Sequence, residues 1–330
     1  MYIPKKILIT GGCGFIASHV IIHLVNNYPD YTIVNVDRLS YCSSLKNLLS
    51  IENKPNYKFY LMDITSVNEM EKIFEIEHFD TIMHFAAQTH VDNSFGNSFK
   101  FIEDNIKGTH VLLELAKKYD IKRFVHVSTD EVYGETDSNV SEHTILNPTN
   151  PYAASKAGAE LLVNSYNISF KLPTIITRGN NVFGPHQYPE KLIPKFINML
   201  SRNMDLPIHG SGEESRNFIY IDDVVSAFEY ILHTGKIGEI YNIGTDYQIS
   251  NNEVADKLIH IFGDKNKKYH VENRCFNDKR YLIDNSKLKQ LGWNVRVSFD
   301  EGLSKTVEWY NKNIDHWGDL SKVLVPHPRN

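Results

Sequence analysis

Lys6-Ile7-Leu8-Ile9-Thr10-Gly11-Gly12-Cys13-Gly14-Phe15-Ile16-Ala17 decides how this chain folds. The first five residues read as a short buried strand, and an apolar-periodic helix is expected from the end of the stretch to about Asn26. Between them lies a Gly-x-x-Gly-x-x-Ala spacing. Glycines there let the backbone turn tightly and approach a pyrophosphate, which the free N–H groups and dipole of the helix N-terminus then hold. Ala17 stands where a third glycine usually permits close helix–strand packing, and one methyl is expected to be tolerated. Glycines also serve ordinary turns, but a strand before and a helix after favour the dinucleotide reading. Gly11, Gly14, Phe15 and Ile16 are the expected contacts.

Working outward, Thr32-Ile33-Val34-Asn35-Val36 reads as a second strand ending at Asp37. A carboxylate at that point accepts hydrogen bonds from ribose hydroxyls and repels a 2′-phosphate, which favours NAD over NADP. Arg38 follows and offers a 2′-phosphate a partner; Leu39 and Ser40 continue the same cofactor loop. Asp63-Ile64, after a third strand at 57–61, fits an adenine-edge contact or, equally, a cap for a helix beginning near Ser66. A fourth strand is expected over 81–87, with Phe85, Ala86 and Ala87 at its cofactor end. An amphipathic helix follows over 105–116, then strands over 123–127 and 172–177.

Strands alternating with helices predict an α/β fold, a doubly wound parallel Rossmann sheet with ligands beyond the strands' carboxyl ends. After about Gly184 the pattern changes, with prolines at 185, 189, 194 and 207. A smaller, mixed α/β C-terminal substrate lobe is expected there. The division expected is 1–184 for the NAD-binding domain and 185–330 mainly for the lobe. The chain returns to the first domain at about 217–245, where 218–232 reads as helix and 239–243 as buried strand.

The chemistry lies behind the fifth strand, in Ser128-Thr129-Asp130-Glu131-Val132-Tyr133-Gly134 and Tyr152-Ala153-Ala154-Ser155-Lys156. Tyr152 and Lys156, four apart, share one face of a helix. An ammonium beside a phenol is expected to lower its pKa and make Tyr152 a base for a sugar or alcohol hydroxyl as hydride leaves the carbon. Asp130 and Glu131 add an acid and a base that a plain alcohol dehydrogenase does not need. Together they suggest oxidation coupled to elimination. A solvated loop pair is the bland alternative for the two carboxylates.

Composition sets bounds. The chain has 330 residues, 42% hydrophobic and 23% charged, as expected of a soluble globular protein of two lobes. A net charge of −5 argues against a nucleic-acid partner. The three cysteines, Cys13, Cys42 and Cys275, give neither a disulfide framework nor a metal spacing, and the histidines show no ligand spacing, so no metal is expected. No apolar run approaches the ~20 residues that cross a bilayer. The N-terminus enters a strand at once, so no membrane association and a cytoplasmic location are expected.

The chain resembles the nucleotide-sugar 4,6-dehydratases of the extended short-chain dehydrogenase/reductase family. It is most similar to the eukaryotic-type dTDP-glucose enzymes and to the dehydratase module of UDP-rhamnose synthases. The resemblance rests on Phe85-Ala86-Ala87-Gln88-Thr89-His90-Val91-Asp92, Ser128 through Gly134, Asn150-Pro151-Tyr152 and Pro189-Glu190-Lys191-Leu192-Ile193-Pro194. Leu206-Pro207-Ile208-His209-Gly210, Arg216 and Tyr241-Asn242-Ile243-Gly244 complete it.

It implies that Tyr152, helped by Thr129 and Lys156, takes the sugar 4-hydroxyl proton while hydride passes to NAD. Glu131 then removes the C5 proton as Asp130 protonates the departing 6-hydroxyl. It also implies a nucleoside-diphosphate glucose substrate, with Thr89 and Thr129 near the sugar, His90 near the nicotinamide or sugar unless it is an ordinary polar loop histidine, and Asn181 and Arg216 on the pyrophosphate. Lys191, Leu192, Pro207, Ile208, His209 and Asn251 surround base and ribose. The resemblance also implies Arg274 as a substrate ligand, matching the arginine of the family's Asp-Arg-Pro segment, although Asn273-Arg274-Cys275 lacks the flanking aspartate and proline. A homodimer through a helix pair that includes the Tyr152 helix is typical of the family. A nucleotide-sugar 4-epimerase would keep Tyr152 and Lys156 but leave Asp130 and Glu131 without a task. A non-catalytic NAD-binding regulator would leave the whole set idle.

Overall fold

The computed structural model describes residues 1–135, 139–273 and 282–325. Alternation within each strand explains the central layer. In β1 (Lys6–Thr10), Ile7 and Ile9 enter one core while Leu8 enters another on the opposite face. The same split divides Ile33 from Val34 in β2 (Thr32–Asp37), which β3 (Tyr57–Leu61) flanks. It separates Met83 from Ile82 in β4 (Thr81–His84), Val125 from Phe124 in β5 (Arg123–Thr129), and Ile175 from Ile176 in β6 (Thr174–Gly179). Strands apolar on both faces need cover on both, which is the condition for a parallel sheet.

Helices supply that cover. In chain order the first are α1 (Phe15–Asn27), α2 (Val67–Glu77), the short α3 (Val91–Gly96) and α4 (Ser98–Phe101), and α5 (Gly108–Lys118). After β5 comes α6 (Pro151–Phe170), opened by an Asn150 cap and Pro151 and closed by Lys171 at φ 57°. A capping side chain with proline at the first turn is a strong start signal.

Beyond β6 the chain forms β7 (Asn181–Phe183), α7 (Leu192–Leu200), β8 (Leu206–His209), β9 (Ser215–Tyr220) and α8 (Ile221–Thr234). β10 (Ile240–Ile243), β11 (Gln248–Ser250), α9 (Asn251–Ile261) and β12 (Lys268–Val271) follow, then α10 (Ser286–Lys289) and α11 (Phe299–Lys312).

Seven strands in the order β10-β6-β5-β4-β1-β2-β3 make one parallel sheet, the doubly wound Rossmann arrangement expected. Strand order reverses between β1 and β4, and ligands bind in the crevice outside such a point. The smaller elements form a three-stranded sheet, β11-β9-β7, and a two-stranded one, β12-β8.

Several boundaries differ from the sequence reading. β4 stops at His84, and Phe85 and Ala86 turn inward because their N–H groups bond Thr10 O and Oγ1, each at 3.3 Å. β5 runs on to Thr129 and β6 to Gly179, which pair with each other in register. The segment read as helix over 218–232 begins as β9, because Phe218, Ile219 and Tyr220 pair with β7. The helix expected over 105–116 is preceded by a π-helical turn, Ile102–Lys107. No helix among the described residues is long and apolar enough to cross a membrane.

Candidate active site

A cavity of ≈ 440 Å³ opens where the sheet's order reverses and continues under the smaller sheets. At one end Gly11, with φ +72°, makes the turn out of β1, and a Cβ there would lie 2.7 Å from Ala86 Cα. Only glycine lets β1 and the segment after β4 approach so closely. No side chain caps the start of α1 at Gly14, and Gly14 through Ala17 line the cavity, which puts an uncapped helix start where a pyrophosphate could be held. Ala17 sits in the core with 2% exposure, so its methyl is accommodated.

Asp37 ends β2 at the cavity wall, its carboxylate accepting Leu39 N at 2.7 Å and Cys13 N at 3.0 Å. Those bonds fix the group's direction without using all its lone pairs. Arg38 lines the wall too, but its guanidinium is taken: Nη1 donates to Asp104 Oδ1 at 2.7 Å and to Asp63 Oδ2 at 3.1 Å, and Nη2 also bonds Asp104. The expected freedom to meet a 2′-phosphate is therefore absent. Asp63 lines the cavity while bonding Thr65, and Ser66, not Asp63, is the cap of α2. Leu39 lies outside the lining.

The reactive groups meet at the end of β5. A 3-10 turn over Asp130–Tyr133 turns Glu131 into the cavity and sets Asp130 behind it. Glu131 Oε2 accepts from Asn150 Nδ2 at 3.1 Å, while Asn150 Oδ1 caps α6 by accepting Ala153 N at 2.8 Å. One asparagine thus ties the carboxylate-bearing turn to the helix carrying Tyr152 and Lys156. Asp130, 3% exposed, accepts from Asn180 Nδ2 at 2.7 Å and from Thr129 Oγ1 at 3.2 Å. The Thr129 hydroxyl also bonds the Tyr152 phenol, so it joins the phenol to the buried carboxyl. Burial pushes the Asp130 carboxyl up to about 7, against the opposing Asn180 bond, with the Glu131 charge adding to the rise. A carboxyl held there retains its proton near neutral pH.

One expectation fails. Lys156 does not depress the Tyr152 phenol: its ammonium donates to Val127 O at 2.6 Å, and burial lowers its own pKa to about 8. Tyr152 is pushed well above its ordinary value, by burial first and the Glu131 charge second; the Thr129 bond opposes the rise. Four-residue spacing put phenol and ammonium on one face but could not reveal where the ammonium points.

The remaining predicted residues are mostly assembled. Ile16, Ser40, Ile64, Phe85, Ala87, Thr89 and His90 line the cofactor side and its edge. Asn181, Lys191, Leu192, Pro207, Ile208, His209, Arg216 and Asn251 line the other end, where Lys191 Nζ donates to Thr89 O at 2.7 Å. Arg274 lies outside the described residues.

Several contributors escaped the sequence reading. The π turn places Asp104 and Asn105 side by side. Asp104 holds Arg38 and Gln88, while Asn105 holds both backbone groups of Gln88 and donates to Ser155 Oγ at 2.8 Å. π turns occur frequently at functional sites, but no residue pattern announces them. Asn150 and Asn180 act through tertiary contacts that spacing cannot show.

The sequence matches the GDP-mannose 4,6 dehydratase family over residues 8–306. It is 55% identical, over 99% of its length, to a trifunctional UDP-glucose 4,6-dehydratase/UDP-4-keto-6-deoxy-D-glucose 3,5-epimerase/UDP-4-keto-L-rhamnose-reductase of Arabidopsis thaliana. It spans only 50% of that protein, about half the length of the plant relatives it matches. The human dTDP-D-glucose 4,6-dehydratase is 49% identical over 98% of this chain and 95% of its own. Among solved structures, the dTDP-glucose 4,6-dehydratase DesIV of Streptomyces venezuelae, crystallised with NAD, superposes with a TM-score of 0.91 at 38% identity. That superposition covers 95% of this chain and 99% of the other. A UDP-glucose 4-epimerase of Thermotoga maritima superposes at 0.88 with 33% identity, covering 94% and 99%. Since the family match begins within β1 and ends within α11, the chain belongs to the GDP-mannose 4,6 dehydratase family.

Proposed function

We propose that this chain dehydrates a nucleoside-diphosphate glucose, UDP-glucose or dTDP-glucose, to the 4-keto-6-deoxy sugar with bound NAD, in a route toward deoxysugars such as rhamnose. One observation carries the reading: Thr129 bonds the Tyr152 phenol and the Asp130 carboxyl, with Glu131 in the same cavity. A 4-epimerase has work for the phenol but none for a protonated and an ionised carboxyl side by side.

NAD, held by the Gly11 turn, the start of α1 and Asp37, would supply a hydride acceptor for C4 and a hydride donor for C6. The chain's residues do the rest. Tyr152 receives the 4-hydroxyl proton as its phenolate, the form that the Thr129 hydrogen bond favours, which leaves a ketone at C4. The ketone acidifies the C5–H bond, and Glu131 takes that proton. As the C5 electrons form a double bond to C6, the C6–O bond breaks and Asp130 protonates the departing hydroxyl, so water leaves. Glu131 then returns a proton to C5. Lys156, fixed to Val127 O, keeps a positive charge at the base of the site below about pH 8.

The turn at Gly11, the open start of α1 and Asp37 serve pyrophosphate and ribose at the cofactor end. Residues 185–330 supply most of the nucleotide-sugar lobe, with Asn181 and Arg216 assigned to its pyrophosphate. Exposed Leu161, Ile168 and Phe170 on α6, with Phe99 and Ile102 ahead of α5, are an apolar surface suited to a homodimer of two-fold symmetry. A cytoplasmic location and the lack of any nucleic-acid partner belong to the same proposal.

Purified protein offered UDP-glucose and dTDP-glucose together tests this by mass spectrometry. A product that has lost one water from either nucleotide sugar is expected. An isomer of unchanged mass, or no turnover of either, would overturn it.

A further inference from the structure

Asn180 stands between β6 and β7, 4% exposed, and its side chain has no freedom of orientation. Thr245 N donates to its Oδ1 at 3.1 Å, and a backbone N–H can only donate. The amide oxygen must therefore face Thr245, which leaves the NH2 group facing Asp130. Gly244 makes this possible, because a Cβ there would collide with Asn180 Oδ1 and the Ile283 side chain. Asn180 N is itself anchored on Ile243 O at 3.0 Å.

An NH2 group can only donate, so Asp130 Oδ2, 2.7 Å away, must accept. The two oxygens of this buried carboxyl are thereby made unequal. Oδ1 faces Thr129 Oγ1, a hydroxyl that donates to the carboxylate and, unlike an NH2 group, can accept from the protonated acid; it lines the cavity, while Asp130 itself does not.

We propose that Asn180 is a positioning residue for the elimination step, reserving Asp130 Oδ2 as an acceptor so that the acid proton resides on Oδ1, the oxygen turned toward Thr129 and the reacting sugar. This rests on the proposed role of Asp130 as the acid. Proton delivery is then directional: the Oδ1–H bond breaks as the C6 hydroxyl departs as water, and the carboxylate left behind keeps its Asn180 bond. The same bond limits how far burial raises the carboxyl, since a donor to the charged form favours ionisation.

The test separates the half-reactions. In Asn180→Leu, of similar shape without the donor, and in the milder Asn180→Ser, single-turnover formation of the 4-keto intermediate and of the 4-keto-6-deoxy product is followed across pH. Oxidation at C4 is expected to proceed as in the parent, while elimination slows roughly tenfold through the freed carboxyl. Its alkaline limb, where the acid proton is lost, should move up by about one pH unit in Asn180→Leu and less in Asn180→Ser. An unmoved limb overturns the proposal, whether elimination is unchanged or falls together with oxidation as in general structural damage. If Asn180→Leu fails to fold, the limb in Asn180→Ser decides. Asp130→Asn runs alongside: should that variant keep parent elimination and its limb, the assignment of the acid fails and the inference about Asn180 falls with it, whereas an unmoved limb in the Asn180 variants beside a crippled Asp130→Asn overturns the inference alone.

Discussion

Adjacent carboxylates become different reagents through what touches them. Asp130 is buried against Asn180 and Thr129 and titrates near 7, so it carries a proton over the acid side of neutrality and loses it as pH rises. Glu131 projects into the cavity on an Asn150 bond. Glu131→Gln should therefore retain C4 oxidation while dehydration falls ~10²–10⁴-fold, the usual contribution of a general base. The pH dependence moves in a defined direction. Because the Glu131 charge raises the Tyr152 phenol, neutralising it lowers that pKa, so C4 oxidation at any given pH below it should rise. Reduced-nicotinamide absorbance in a single turnover reads both effects. Unchanged dehydration in the folded variant would remove Glu131 from the mechanism. At this scale Thr129, Glu131, Tyr152 and Lys156 were legible because their chemistry and spacing are local. The direction of the Lys156 ammonium and the work of Asn150 and Asn180 were not, since each depends on a partner 19 to 65 residues away.

Between elements, one buried ion pair holds the reactive turn to its helix. Arg178 on β6 grips Glu160 on α6, donates from Nη1 to Tyr133 OH at 2.8 Å and to Glu142 O at 3.1 Å, and is 3% exposed. Tyr133 OH in turn donates to Asn242 Oδ1 on β10 at 2.8 Å. Four segments thus share one guanidinium. Removing it strands the Glu160 carboxylate in the interior, so Arg178→Met should destabilise the protein by ~3–5 kcal/mol, whereas Arg178→Met with Glu160→Leu should recover much of the loss. Denaturant midpoints of the two variants measure this, and a single substitution costing less than about 1 kcal/mol would show that the pair holds nothing in place. Element types were readable from periodicity, but their ends were not. β5 and β6 extend to Thr129 and Gly179 through pairing with each other, and the π turn at Ile102–Lys107 is fixed by what Asp104 and Asn105 hold.

Over the whole molecule, the sheet's reversal between β1 and β4 opens a cavity that the smaller sheets extend, and the reactive turn lies along it. On the proposed function, a dinucleotide occupies one end of this layout and a nucleotide sugar the other, which would set the reacting carbons between Tyr152 and Glu131. The architecture was legible because strands apolar on both faces admit few arrangements. The related epimerase superposes nearly as well as the dehydratase, so the fold alone does not choose the reaction. The choice rests on hydrogen leaving one carbon and arriving at another, and isotopic labelling reads that directly. With nucleoside-diphosphate glucose deuterated at C4 and turned over in ordinary water, the product should carry that deuterium at C6. Deuterium retained at C4, or lost to solvent, would contradict the account.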